Sequence, residues 1–426
     1  MDLFSTETRN QLLYDLFLAY YDARRNKRNT NNALSFELHY ESSLIHLCDD
    51  IFKRNYQPRR SIAFIVNKPV KREVFAADFR DRIVHHLIFN YIAPVFEKRF
   101  VNDSYSCRTG KGTHYGIQRV DHFIRSCSEN YHKDCYILKM DIQGYFMSID
   151  RLLLYEMLKT EIIKNGLNIK GDIDTTLYVI RQTLFNEPVN GCIFRSKMSE
   201  WEGLPPSKSL FHAGKNKGLP IGNLTSQLFA NIYLDDFDHF MKRDMKLKYY
   251  GRYVDDIVVV HPDQEHLKKL IPAAREYLMT NLMLQLHPRK IYLQHYAKGV
   301  VFLGAVIKPY RIYIANRTKA NFYEAVHKYN WLVECTAPSP ELKKQFVCSM
   351  NSYLGIVKHY RTAKMREQII RNVVSHEWWR HFYTNGRFRK IVLKKVSTTS
   401  IVAAKATQQP APCPCKATSS PGFSFL

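Results

Sequence analysis

Long hydrophobic runs are missing from this 426-residue chain. No apolar stretch approaches the ~20 residues that a membrane-spanning helix needs. The opening stretch, MDLFSTETRNQLLYDLF, lacks a basic segment ahead of an apolar one. The expectation is therefore a chain without a secretory signal, cytoplasmic and with no membrane partner. Regular cysteine spacing is missing too. The nine cysteines are odd in number and far apart, apart from Cys413 and Cys415. A lone Cys-x-Cys supplies too few ligands for structural zinc, so reduced thiols are expected. No segment repeats at a period of about 20–50 residues, which sets aside solenoids and propellers. Acidic charge is scarce: 39 Asp and Glu stand against 63 Lys and Arg, a net charge of +24. An excess this large points to a polyanionic partner. What is present in quantity is apolar: 45% hydrophobic residues, 13% aromatic. That suffices for packed cores and excludes global disorder, and the length fits about three domains.

Residues 9–60 read as helical, interrupted by a basic, Asn-rich loop at 24–32. Residues 61–75, SIAFIVNKPVKREVF, read as strands carrying Lys68, Lys71 and Arg72. The next helix has Ile83, Val84, Leu87, Ile88, Tyr91 and Ile92 at helical spacing. His85 and His86 on it read as packed or solvated rather than as metal ligands. Tyr136–Asp141 alternates as a strand that ends in a carboxylate. Helices at 151–186 precede a Gly/Pro/Lys-rich stretch, EGLPPSKSLFHAGKNKGLPIG, a loop composition that often touches ligands. One helix is expected from 223 to 246, with Asn223 as its cap. Residues 249–260 read as two short strands around a turn, and 291–313 as further strands. Residues 316–388 read as helical with a break at 336–340. Beyond 395 the composition shifts to Ser, Thr, Ala, Pro and Lys, that of a disordered tail.

Three carboxylates carry the chemical argument. Asp141 ends the apolar strand in ILKMDIQGYF, and Asp255 and Asp256 lie between two apolar, β-prone runs in YYGRYVDDIVVV. Carboxylates bordering buried strands are costly to desolvate unless an arginine or a metal ion pairs with them. An isolated Asp-Asp is usually a turn. Here each acid comes at a strand end, and non-local strands lying side by side would bring them together. Converging carboxylates suit Mg²⁺, a hard ion that also keeps waters and phosphate oxygens. Two such ions about 3.5–4 Å apart activate an attacking hydroxyl and stabilise the leaving group.

The motifs stand in an order that resembles reverse transcriptases. YVDD between two apolar strands, preceded by DIQGYF, is similar to the two palm motifs of that family. KREVFAADFRDRIVHH, SYSCRTGKGTHYGIQRV, GLPIGNLTSQLFANIYL, LQLHPRK and FLGAVI follow the family's remaining blocks without a gap. The likeness covers about residues 60–310. It implies an α+β right-hand polymerase: N-terminal helices and fingers at 1–135, a palm with an antiparallel sheet plus helices at 136–312, a helical thumb at 313–390, and a disordered basic tail at 391–426.

Residue by residue, the resemblance implies that Asp141 and Asp255 are catalytic and ligate two Mg²⁺ ions, with Mn²⁺ as an alternative. The main-chain carbonyl of Ile142 adds a ligand. Asp256 is either a weak supporting ligand or the cap of a hairpin turn. Phe146 lies under the sugar of the incoming nucleotide, against ordinary core packing as the plainer reading. Arg72 holds the triphosphate, with Lys68 as a second candidate. Lys290 either protonates the pyrophosphate or screens charge. Phe302, Leu303 and Gly304 form the primer grip.

Many reverse transcriptases carry Gln-Gly ahead of Ser-Pro where this chain has Ile221-Gly222-Asn223-Leu224-Thr225-Ser226-Gln227. That form resembles the enzymes of diversity-generating retroelements, which copy a template-repeat RNA and misincorporate opposite adenines. The implied partners are template RNA, a primer and cDNA strand, deoxynucleotides, and a small basic accessory variability protein. Isoleucine at 221 cannot hydrogen-bond as glutamine can. Gly222 lets the backbone approach a ligand, and Gln227 faces the template. The basic positions at 24–28, 108–111 and Lys358, His359, Arg361 and Lys364 are expected to track nucleic-acid backbone; Tyr353, Tyr360, Trp378 and Trp379 among them permit base stacking, with core packing the expected use of most. A phage-defence reverse transcriptase, a non-catalytic RNA-binding scaffold and an intron-type maturase remain as other readings.

Overall fold

A computed structural model describes residues 3–25, 30–68 and 70–394, with side chains from residue 6. The expected tail beyond 394 and the basic stretch 26–29 lie outside the described residues. The chain divides into two compact units, one ending at Ala315 and the other beginning at Asn316.

In the first unit, β1 (Ile62–Val66) and β2 (Arg72–Ala76) form an antiparallel hairpin. β3 (Tyr136–Asp141) follows two long helices, Phe79–Arg99 and Thr113–Cys127. The short β4 (Ile193–Phe194) runs parallel to β1 and completes the hairpin's sheet. β5 (Tyr249–Tyr253), β6 (Asp256–His261) and β7 (Tyr292–His295) join β3 in an antiparallel sheet ordered β5-β6-β3-β7. β8 (Val300–Phe302), β9 (Ala305–Lys308) and β10 (Arg311–Ile314) form a three-stranded meander. The inner strands β3 and β6 read YILKMD and DIVVVH, and their middle residues are buried except for the half-buried Lys139. That pattern suits a central strand covered on both faces.

The expected boundary at residue 135 does not separate two cores. One hydrophobic cluster runs from Leu12 and Leu16 through Ile83 and Leu87 to Leu138, Phe229, Val259 and Leu286. The helix expected over 223–246 is broken. It runs Leu224–Tyr233, restarts at Asp235–His239, and widens into a π turn at Phe240–Asp244. The break falls where Asp235 pairs with Arg99 and Asp238 pairs with Arg252, so buried ion pairs override the helical ladder. Asn223 does not cap this helix: its side-chain oxygen accepts from the Ala77 N–H at 3.2 Å. Residues 53–60, expected as helix, leave it: the helix Tyr40–Phe52 ends in a turn at 53–54 with a left-handed Arg54, and 55–60 carry no regular structure.

The second unit has helices Asn316–Cys335 and Pro340–Val357, then shorter turns to Trp379. Trp378 is fully buried, its ring stacked 4.0 Å from Phe346, so it packs core rather than bases. The helical expectation fails at its end. β11 (Phe382–Asn385) and β12 (Lys390–Leu393) form a hairpin. Asn351 accepts from the Ile391 N–H and donates to the Ile391 carbonyl, both at 2.8 Å, which anchors β12. Residues 391–393, assigned to the tail, are therefore part of this hairpin.

Among the described residues every cysteine is a free thiol, and no helix is long and apolar enough to cross a membrane. Cys413 and Cys415 lie outside the described residues.

Candidate active site

Asp141 closes β3, Asp256 opens β6, and the two are direct cross-strand partners. Such partners sit about 4.5–5.5 Å apart at Cα. Asp255 precedes β6 in the turn that joins it to β5. Val254 in this turn has φ +57°. A β-branched residue in the left-handed region stores roughly 1–3 kcal/mol and persists only where its surroundings impose it. The Asp255 carboxyl is raised to about 6, first by burial, then by the negative charges of Asp141 and Asp256. Two like charges that oppose each other this way favour a cation between them.

Lysines flank the pair. The Lys290 ammonium lies 3.0 Å from Asp141 Oδ1. It is brought there by LQLHPRK: the Gln143 N–H donates to the Gln285 carbonyl and the His287 N–H to the Asp141 carbonyl, laying 285–287 beside the end of β3. Lys139 Nζ lies 3.1 Å from Asp256 Oδ1. Asp256 is thus a charge partner of Lys139 rather than an isolated turn cap. Lys139, two residues before Asp141 on the same strand face, was not singled out from the sequence; the Lys-x-Asp spacing was its signal.

Among the described residues, no cluster of three or more His, Cys, Asp or Glu side chains is arranged to hold a metal ion. The donors fit magnesium all the same. That ion commonly takes one or two protein carboxylates and completes its octahedron with water and substrate phosphate. Asp141 and Asp255 would supply the carboxylates, and the carbonyl of Ile142 lies next in the chain.

A second group of the expected residues gathers near the β1–β2 hairpin. Phe146, on the short helix Tyr145–Ser148, and Ile221 both pack on a cluster of Ala63, Phe75, Met147, Cys192 and Leu210. The Phe75 N–H donates to the Ile221 carbonyl at 2.9 Å. Gly222 has φ +120°, and a Cβ there would stand 2.7 Å from Val74 Cγ1, so only glycine lets the chain pass this close to β2. Gln227 is exposed on the following helix. Arg72 is exposed at the start of β2, and Lys68 lies in the exposed turn before it. Phe302 is buried at the end of β8, with Leu303 and Gly304 making the left-handed turn into β9.

Several residues that shape the site escaped the sequence reading. Glu73, on β2, is buried and accepts three hydrogen bonds: from Trp201 Nε1 at 2.8 Å, Ser209 Oγ at 2.9 Å and the Leu210 N–H at 2.6 Å. It pins residues 201–210 of the loop against the hairpin. Arg252 and Asp238 form a fully buried bidentate pair, at 2.7 and 2.6 Å. Arg108, expected on nucleic acid, instead donates to the carbonyls of Val101 and Ser104 and pairs with Glu97. His85 is buried and held neutral, with its pKa pushed down to about 3 by burial.

A family model described as "Reverse transcriptase (RNA-dependent DNA polymerase)" matches residues 70–307. Among curated proteins, Protein YkfC of Escherichia coli (strain K12) is 21% identical over 292 residues, covering 61% of this chain and 69% of that protein. Among solved structures, apo telomerase from Candida tropicalis, truncated from its C-terminal domain, aligns with a TM-score of 0.41 at 12% identity, covering 59% of this chain and 53% of that one. Telomerase from Candida albicans, in complex with a TWJ fragment of telomeric RNA, aligns with a TM-score of 0.42 at 9% identity, covering 77% and 61%. This chain thus spans between half and two thirds of the length of those telomerase chains.

Proposed function

The chain belongs to the reverse transcriptase family of RNA-directed DNA polymerases, and on that premise we propose that it serves a diversity-generating retroelement, copying a template-repeat RNA into cDNA with errors opposite adenines. The observation that carries the finer reading is Ile221. Its side chain joins Phe146 on an apolar cluster beside β2, where a glutamine would add a hydrogen-bonding group. Polar contacts that respond to base-pair geometry widen the gap between right and wrong pairs. Losing ~1–2 kcal/mol of that gap raises errors roughly 5- to 30-fold.

In this reading Asp141 and Asp255, with the Ile142 carbonyl, hold Mg²⁺ or Mn²⁺. When bound, the metal lowers the pKa of the primer hydroxyl and stabilises the charge on departing pyrophosphate. Lys139 holds Asp256 aside, leaving Asp255 to face Asp141. Lys290 sits where it neutralises charge at Asp141 and reaches the pyrophosphate side. Phe146 lies under the deoxyribose and would clash with a 2′-hydroxyl. Arg72 and Lys68 take the triphosphate, which a planar guanidinium grips in bidentate fashion. Phe302, Leu303 and Gly304 hold the primer end, and Gln227 faces the template. The partners are template RNA, primer, cDNA and deoxynucleotides, with a small basic accessory protein, in the cytoplasm.

The test is to sequence cDNA made by the purified chain on its native RNA with Mg²⁺. Substitutions concentrated at template adenines are expected, and a low, even error spectrum would favour the phage-defence reading. Ile221→Gln is expected to lower the error frequency about fivefold or more. An unchanged spectrum in that variant would remove Ile221 from the account of fidelity.

A further inference from the structure

The turn that presents Asp255 has no good reason to keep its shape unaided. Val254 is β-branched and left-handed, at φ +57°. Its carbonyl accepts from Arg252 Nη1 at 2.9 Å. The same guanidinium makes two bonds to Asp238, at 2.7 and 2.6 Å, and donates to Ser104 Oγ at 3.3 Å. Asp238 also accepts from the Tyr250 hydroxyl, so its position is fixed from two residues of β5. Arg252 and Asp238 are both wholly buried.

The backbone of Arg252 is clamped as well. The Arg252 N–H donates to the Asp103 carbonyl at 2.8 Å, and the Tyr105 N–H donates to the Arg252 carbonyl at 2.9 Å. The Tyr105 ring lies so close to β5 that a Cβ on Gly251 would stand 2.2 Å from its hydroxyl oxygen. The stretch SYSCR thus reaches the carboxylates through β5.

We propose that Arg252 is a positioning residue for nucleotide addition: anchored by Asp238, its guanidinium holds the Val254 carbonyl in the left-handed turn and so aims the Asp255 carboxylate at Asp141. This rests on the polymerase reading above. A buried ion pair is weak grounds for a stabilising role, because an apolar pair of similar volume often serves equally well. What an apolar pair cannot do is donate to the Val254 carbonyl. Lysine cannot replace the arrangement either, since one ammonium cannot keep a bidentate carboxylate and a separate carbonyl in the same geometry.

The experiment compares wild-type chain, Arg252→Lys and the combined Arg252→Met/Asp238→Leu in primer extension on RNA, with separate Mn²⁺ titrations followed by electron paramagnetic resonance. Both variants are expected to fold and to bind primer–template as wild type does. The KM for deoxynucleotide should stay within about twofold while kcat falls about 10- to 100-fold, the scale of a displaced reacting group. Mn²⁺ should bind several-fold more weakly. Wild-type kcat and Mn²⁺ affinity in either folded variant would overturn the proposal. Loss of the fold in both would overturn it too, by making the pair a support of the core. A wild-type chain that extends no primer would instead sink the polymerase reading itself.

Discussion

Asp255→Asn is expected to abolish primer extension and, at neutral pH, to make the metal-free protein more stable. The two effects share a cause. Asp255 is half-buried in its turn and faces Asp141 and Asp256; loss of solvent first, and then those two negative charges, raise its carboxyl pKa to about 6. An acid whose pKa is higher in the folded chain than in the unfolded one favours folding while protonated. That contribution is complete below about pH 4 and is lost as pH rises through 6. Above pH 6 the ionised carboxylate therefore opposes folding, by an amount of order 1–3 kcal/mol. Asparagine carries no charge, so the variant should melt a few degrees higher than wild type at pH 7.5, and the gap should close near pH 4. Synthesis should fall at least 10²–10³-fold, because the transition state loses a charged ligand. Paired thermal melts at the two pH values and single-turnover extension check both halves. A variant that extends at the wild-type rate, or that melts lower at pH 7.5, contradicts the account.

Glu73→Ala carries the second large effect, on the loop rather than the chemistry. The carboxylate is the common acceptor for Trp201, Ser209 and Leu210 and is 1% exposed. Removing it leaves three donors without a partner in a site closed to water. Each such orphan costs roughly 1–3 kcal/mol, so a total of about 3–9 kcal/mol is expected if the loop stays docked. Release of the loop is the cheaper outcome. Residues 195–213 should become open to proteolysis, and the cluster under Phe146 and Ile221 should lose its Leu210 and Trp201 wall. The KM for deoxynucleotide should then rise. Limited proteolysis with mass mapping reads the first effect and steady-state kinetics the second. An unchanged cleavage pattern would mean that the aromatic packing of Phe194, Trp201 and Phe211, rather than Glu73, holds the loop.

The carboxylates proposed to be catalytic are legible because they obey local rules. Tyr136–Asp141 and the run after Asp256 alternate or stay apolar over strand length, and an acid at the end of such a run is conspicuous. Their antiparallel pairing puts Asp141 opposite Asp256. The groups that hold them were less legible, because their partners are distant in sequence. Arg252 and Asp238 each look like a surface charge, and only the tertiary fold places both in the core. Glu73, in KREVF, reads as the polar residue of an alternating strand, yet it faces inward toward a loop more than 120 residues on. The hairpin Phe382–Leu393 is a different case. Its loop, 386–389, opens on a left-handed Gly386, a turn signal that the helical periodicity before it obscured. The one-core union of 1–135 with 136–312 had no local mark at all, since it depends on helices packing across long separations.

The most direct measurement is anomalous scattering from crystals of the full chain grown with Mn²⁺, an RNA template with DNA primer, and a non-hydrolysable deoxynucleotide. Manganese should lie about 2.0–2.2 Å from carboxylate oxygens of both Asp141 and Asp255, bridging to the triphosphate. Manganese bound elsewhere, with neither aspartate within reach of it, would contradict the assignment.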